Sequence, residues 1–365
     1  MFDTVKSWRD EIGDTYILGG VRVALGVLLF ANGLRSAHEL QAGYFGDAFH
    51  WPILPEAFVP PRTVYAILVA VQVVLSALVV AGHRARPALM ASALLGFYVL
   101  LCDRLQFHHN RYALFCYSFL LFLAPCDRSF FVAGTVPGTR AGPLWAARLA
   151  QLQLSLIYVA SGGSKLLDPD WRSGRVLSER FVLFGDHTID PRIPSAWVEW
   201  ATQPEVFSVI AKLAIATELL LAVGLWSRHL RVVALWWGVW FHLTIEATSR
   251  VEGFTWLTLT MYALFCTPDV RARKMYYDGS RLRGRLIARA VRALDWLARF
   301  EVKPWAPDAI RRGHTVVVIR RDGTHATGVR ALTMLARCIP LLFPLWAPLA
   351  IVAGFSKGGD TSAGA

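Results

Sequence analysis

Charge is scarce in this 365-residue chain: Asp, Glu, Lys and Arg make up only 18% of it, against 55% apolar residues and a positive mean hydropathy. That balance excludes an ordinary soluble domain and points to a polytopic membrane protein. Cysteine is scarcer still. Cys102, Cys116, Cys126, Cys266 and Cys338 are scattered, with no CxxC and no Cys/His ligand spacing, which excludes a disulfide framework and a structural zinc site. A Gly-rich phosphate loop, a nucleophile elbow, a haem motif and a metalloprotease helix are also missing, so no metal is expected. The first residues, MFDTVKSWRDEIGD, lack the apolar core and small-residue cleavage site of a signal peptide, and the first helix is expected to be retained.

Acidic residues are few enough to leave a formal net charge of +12, and the excess is local. Between Asp269 and Cys338 sixteen Lys/Arg stand against six Asp/Glu. Such a segment is expected to stay on the cytoplasmic side against anionic lipid, and nucleic acid is not the expected partner.

Apolar runs that could cross a bilayer occur near Tyr16–Leu34, Thr63–Ala81, Pro87–Leu101, Ala113–Ala124, Leu144–Ser161, Val206–Leu225, Leu230–Ala247 and Phe254–Cys266, which gives about eight spans. The basic tail, with Arg84, Arg86, Arg128, Arg140, Arg228 and Arg231 in the even-numbered connections, predicts cytoplasmic termini. The odd-numbered connections then face outward. They hold Trp51 and Pro52, the stretch DRLQFHHNR from Asp103 to Arg111, and a segment of over forty residues, Gly162–Glu205, rich enough in Trp, Phe and Pro to pack as a cap. The expected setting is a bacterial inner membrane.

In the fifth run, Gln151, Ser155, Tyr158, Gly162 and Lys165 fall at offsets of 0, 4, 7, 11 and 14 and share one helix face. A polar stripe in a helix of lipid length must face protein or a water-filled cavity. Lys165 has two readings: a helix-end lysine snorkelling to the headgroups, or one covered by the fifth connection, where desolvation favours the free amine and hence a base. Asp168 and Asp170 would stabilise the ammonium if turned toward it. The DPDW turn they belong to suits Trp171 as an interface anchor. His108 and His109 sit beside Asn110 and Arg111 either as an interfacial polar loop or with one imidazole orienting an anion near the lysine. His242 and Glu246, at i and i+4 in the seventh run, can hydrogen-bond, and an ionisable pair at that depth is a site candidate. Glu218 in the sixth run has the same standing.

The runs QLQLSLIYVASGGSKLLDPDWRSG and HHNRYALFCYSFLLFLAPCDRS resemble the HTTM (horizontally transferred transmembrane) family, whose best-known members are the vitamin K-dependent γ-glutamyl carboxylases. The resemblance covers Tyr16–Thr267. It implies an enzyme that couples oxidation of vitamin K hydroquinone, or another membrane quinol, to proton removal and carboxylation of a peptide or small carboxylate substrate. Lys165 would be the base, although counting back from Trp171 also reaches Leu166. His108 or His109 would be the hydrogen-bond donor, with His242, Glu246, Tyr158, Gln151, Asp170, Trp171 and Arg111 lining the site. The family's histidine follows an Asn in the third loop, whereas here Asn110 is followed by Arg111. The rival class is a non-catalytic membrane scaffold or a lipid or small-molecule carrier that keeps the fold.

The tail motif YYDGSRLRGRLIARAVRALDWLARFEV with RDGTHATGVRAL resembles the DCC family of thioredoxin-like thiol-disulfide oxidoreductases, but Arg281 and Gly284 stand where that family has its cysteines. The resemblance implies a redox-dead domain, structural or binding a protein partner. The expected architecture is therefore an all-α membrane bundle over 1–268, a small α/β appendage over 269–338, and a Pro-rich apolar segment and tail over 339–365. The proline-broken run Ala331–Phe355 is expected to lie on the membrane or under the bundle.

Overall fold

The computed structural model describes residues 10–41, 51–105, 107–130, 141–180, 195–201, 203–249, 251, 253–266, 273–297, 299–305, 314–319 and 323–355. Asp322 of the RDGTHATGVRAL motif, most of the FGDHTIDPRIPSAW stretch and the Gly/Ser tail lie outside these residues. The chain divides into two compact units, Met1–Pro268 and Asp269–Ala365.

The first unit is built from helices whose composition suits lipid better than water. They are α1 (Tyr16–Gln41), α2 (Arg62–Ala81), α3 (Ala85–Cys102), α4 (His109–Leu123), α5 (Trp145–Leu167), α6 (Pro169–Ser173), α7 (Ser195–Ala201), α8 (Pro204–Gly224), α9 (Arg231–Ser249) and α10 (Phe254–Tyr262). Four of them, α1, α2, α3 and α8, are long and apolar enough to cross a membrane. The others fall short of an eight-span bundle for two reasons. At 15 and 9 residues α4 and α10 are short of a bilayer. The longer α5 and α9 carry Lys165, Arg148, His242 and Glu246 in place of apolar residues. Exposed Val27, Ile67, Val74, Leu220 and Val223 lie on the outer faces, where only lipid suits them.

A short antiparallel pair fixes one end of the unit: β1 (Ile12–Asp14) pairs with β2 (Ala141–Pro143), joining the start of α1 to the start of α5. Asp14 caps α1 by accepting from Tyr16 N at 2.8 Å, and Arg148 grips Glu11 at 2.6 and 2.8 Å. Arg22 is fully buried there and donates to the carbonyls of Cys126 and Phe130. At the opposite end of α1, Glu39 pairs with Arg111 from the start of α4 at 2.6 Å. With 23 residues, α5 rises about 33 Å, so its Lys165 end lies toward the Glu39 end of the bundle. It packs closely on α8, and α1 packs on α2 and α3 on α4.

The second unit has the expected α/β character. Its sheet has the order β4-β3-β5-β6, with β3 (Arg273–Tyr277) parallel to β4 (Phe300–Pro304) across the helix α11 (Leu282–Leu294), and antiparallel to β5 (Val316–Ile319), which pairs with β6 (His325–Thr327). Met275, Val291, Phe300, Val318, Leu335 and Ile339 form its core. Asp278 organises the turn before α11, accepting from Ser280 N at 2.9 Å and Ser280 Oγ at 2.5 Å. The proline-broken run Ala331–Phe355 falls into three pieces. Residues Gly328–Cys338 form α12, which buries Ala331 and Leu335 on the sheet; a 3-10 turn at Pro340–Leu345 and α13 (Trp346–Phe355) follow. Pro340 and Pro344 lack the N–H a continuous helix needs, so the break falls there.

Candidate functional site

The polar stripe of α5 is buried from Gln151 to Gly162 and part-buried at Lys165, and each member finds its own partner across the bundle. Gln151 donates to Leu264 O at 2.7 Å and accepts from Arg148 at 3.0 Å. Ser155 accepts from Trp226 Nε1 at 2.7 Å. Tyr158 Oη lies 2.7 Å from His242 Nε2 on α9 and 2.5 Å from Tyr262 Oη on α10. Gly162 lets α8 come close, since a Cβ there would stand 3.0 Å from Leu219 and 3.3 Å from Glu218. Lys165 closes the row.

Helix α5 runs six residues beyond the expected Ser161 and puts Lys165 inside its last turn. The ammonium turns inward to Glu218 Oε1 on α8 at 2.5 Å. Ser161 Oγ is shared by the pair, accepting from Lys165 at 2.9 Å and donating to Glu218 at 3.2 Å. The Trp171 ring covers the amine at 4.9 Å from its centroid. The side chains are 18% and 4% exposed, which excludes a lysine reaching into headgroups. Set side by side among apolar helices, the amine and the carboxylate spare each other the cost of standing there alone.

The segment beyond Lys165 locks the geometry. Asp168 ends α5 and caps α6, accepting from Asp170 N at 2.9 Å, and Gly174 ends α6 in the left-handed region at φ +83°. A Cβ at Gly174 would meet the Phe207 carbonyl carbon at 2.4 Å, so only glycine lets this turn lie on α8. Ser208 Oγ also donates to Arg172 O at 3.2 Å. The chain turns helical again at 175–180, where the Arg180 guanidinium stands 5.9 Å from the Trp171 ring centroid.

Several expected associations are not formed. His242 and Glu246 share a face but do not hydrogen-bond, because the His242 ring turns into the bundle and spends Nε2 on Tyr158. Asp168 is a helix cap and Asp170 pairs with Arg175 at 3.6 Å, so neither carboxylate engages Lys165. His108 caps α4 by accepting from Asn110 N at 3.3 Å, His109 stacks edge-on against Phe107, and Arg111 is committed to Glu39. Among the described residues no hydrogen bond or ion pair joins these three to Lys165. Burial, followed by the positive groups of His109, Arg111 and Arg35, holds the His108 imidazole below its ordinary value. Gln151 lies about 21 Å along the helix from Lys165. There it lines a cavity of about 30 Å³ with Asp14, Leu144, Arg148, Arg231 and Cys266, room for a water or two.

The arrangement leaves three buried polar atoms without a hydrogen-bond partner among the described residues: Glu218 Oε2, His242 Nδ1 and Glu246 Oε2. Glu218 was legible as a carboxylate in an apolar run, which must find a partner, but 53 residues separate it from Lys165 and nothing local marks the pairing. Tyr262 carried no signal, being one tyrosine in an apolar helix.

The HTTM domain family matches residues 12–270, most of the chain and nearly all of the first unit, and the chain belongs to that family. It is accordingly an integral membrane protein of a family linked to vitamin K-dependent carboxylation. No curated protein and no solved structure matches it.

Proposed function

We propose that the chain is a membrane-embedded enzyme related to the quinol-dependent carboxylases, with Lys165 as the base and Glu218 as the group that holds and returns its proton. The observation that carries the reading is the amine seated on a nearly buried carboxylate at 2.5 Å, beneath the Trp171 ring. Moving the shared proton from Nζ to Oε1 turns an ammonium–carboxylate pair into an amine and a carboxylic acid. Scarcity of water around the pair removes the solvation that favours the charged form. The amine can then accept a proton from a substrate hydroxyl.

A membrane quinol fits this donor set, because its hydroxyls would satisfy the unpartnered Glu218 Oε2 and His242 Nδ1 and its ring would suit Trp171. When bound it would supply the reducing equivalents whose oxidation accompanies carbon-acid deprotonation. The chain's own contribution is to exclude water, to orient the hydroxyl toward Nζ, and to fix the His242 ring through Tyr158 and Tyr262. A carboxylate-bearing peptide or small molecule is the substrate class of this proposal. Helices α4, α5, α9 and α10 would complete the eight-span bundle, with cytoplasmic termini in a bacterial inner membrane. The second unit, with Cys338 as its one cysteine, would be a DCC-like domain without exchange chemistry, structural or binding a protein partner.

A second reading, a scaffold or carrier without chemistry, is favoured by the completeness of the Lys165 contacts: Ser161, Glu218 and Trp171 already occupy the ammonium. Nanodisc-embedded protein incubated with a quinol, oxygen and labelled bicarbonate separates the two. The enzyme reading expects label in an organic acceptor and oxidised quinone from wild type, both lost in Lys165→Ala. Neither product from wild type leaves the scaffold.

A further inference from the structure

The second unit presents a helix with two working faces, of which the fold uses one. On α11, Gly284, Ala288 and Val291 are buried against the sheet. The opposite face carries Leu282 and Leu286, 62% and 51% exposed, in line with exposed Ala290 and Ala293. At 100° per residue these four fall within about 80° of arc, with Arg285, Arg289 and Arg292 on one flank and Arg283 on the other. No acidic residue lies anywhere in α11. Arg285 and Arg292 also donate to carbonyls, of Gly279 and Val302, but Arg283 and Arg289 make no hydrogen bond or ion pair among the described residues. Trp296, half exposed just beyond the helix, adds an amphipathic ring of the kind found at membrane surfaces.

We infer that this outer face of α11 lies in the surface of a bilayer rich in anionic lipid, with Leu282 and Leu286 among the upper acyl chains and Arg283 and Arg289 on lipid phosphates. Two observations favour lipid over a protein partner. The apolar stripe is narrow and edged by cations on both sides, which is the pattern of an in-plane interfacial helix. The segment Asp269–Cys338 carries sixteen Lys/Arg against six Asp/Glu, a charge complementary to anionic lipid. The same unit also exposes Leu341, Leu345, Ile351 and Phe355 in a 16-residue apolar segment, too short to cross a bilayer and suited to lying in it.

The test uses the full chain with Leu286→p-benzoylphenylalanine, reconstituted into nanodiscs of phosphatidylcholine alone or with phosphatidylglycerol, irradiated and analysed by mass spectrometry. The expected result is a lipid adduct whose yield rises with phosphatidylglycerol and falls roughly five-fold or more in Arg283→Ser/Arg289→Ser. Crosslinks to protein, within the chain or to a second copy, would overturn the inference, as would no adduct or a yield indifferent to both lipid and arginine. The same probe at Leu282 decides the matter should the Leu286 variant fail to fold.

Discussion

Removing one partner of the Lys165–Glu218 pair should cost far more than removing both. The pair joins α5 to α8 at 2.5 Å with side chains 18% and 4% exposed, so neither group can recover its hydration when the other is lost. Breaking such a pair costs about 3–5 kcal/mol, whereas replacing both partners by apolar groups of similar volume is close to neutral. The exposures rank the single variants. In Glu218→Gln the ammonium keeps Ser161, the Trp171 face and part of its solvent contact, which places the loss near the lower bound. In Lys165→Met the carboxylate is left among Ser161, Gly162 and Leu219 with almost no solvent, which places it near the upper bound unless the carboxylate takes up a proton. Losses of that size correspond to falls of roughly 6–20 °C in Tm for a unit of this size. Lys165→Met/Glu218→Leu should recover to within about 1 kcal/mol of wild type. Thermal unfolding of the four proteins in one detergent, followed by loss of the monodisperse peak in size-exclusion chromatography, completes the cycle. If the double loss equals the sum of the single losses within about 0.5 kcal/mol, the two groups are energetically independent and the buried-pair reasoning is wrong. The double variant then becomes the control for function, since it is folded but has neither base nor proton partner and should give no quinol-dependent label.

Other parts of the seam make their own predictions. Tyr158→Phe leaves His242 Nε2 and Tyr262 Oη without the hydroxyl that bridges them and should cost about 1–3 kcal/mol, read as a Tm fall that His242→Phe in the same chain reduces. Gly174→Ala forces a side chain into both a left-handed turn and the Phe207 backbone; it should release the turn beyond Lys165 from α8, seen as new protease sensitivity near 172–180 with α1 to α4 unchanged. For His108 the sign follows from its depressed folded value. Its contribution is full above the ordinary histidine value near about 6.5 and is lost as pH falls toward the folded value, because an imidazolium cannot accept from Asn110 N. Stability should therefore fall between neutral and mildly acid pH, and His108→Asn, which caps at any pH, should flatten that slope. A slope unchanged in the variant would assign it to other groups.

What could be read in the sequence was what local periodicity decides. The stripe at Gln151, Ser155, Tyr158, Gly162 and Lys165 is buried along α5 because polar groups in a lipid-length helix have nowhere else to go. The α/β character of 269–338 was legible too, and β3 to β6 with α11 carry it. Partner choice was not legible. Asp168 and Asp170 stand three and five residues from Lys165 and were the nearest carboxylates in the chain, yet the N-terminus of α6 and Arg175 claim them. The carboxylate that reaches the amine comes from 53 residues away, brought in by Gly162 and Gly174, whose missing side chains let α8 approach. The i,i+4 spacing of His242 and Glu246 permits a hydrogen bond but does not compel one, and a second helix offering Tyr158 at 2.7 Å wins. The run Ala331–Phe355 misled for a related reason: hydropathy alone does not separate the amphipathic α12, which belongs to the sheet, from the apolar segment after Pro340.

The same contacts that identify the site also set its main chemical difficulty. A lysine held by a carboxylate, a hydroxyl and an indole is well placed and, as an ammonium, unable to act as a base. Any catalytic role therefore has to pass through Glu218, the one partner that can take the proton and leave an amine behind. This makes Glu218→Gln more informative than Lys165→Ala. The amide preserves the shape of the seam but cannot hold the proton, so an enzyme should lose quinol-dependent product while still binding quinol, which titration of a quinone's intrinsic absorbance can follow separately. A scaffold has no activity to lose, and its binding should respond only to the size of the residue at 218. Activity surviving in Glu218→Gln at the wild-type rate would mean that Lys165 is not the base, because nothing else in contact with its amine among the described residues could receive the proton.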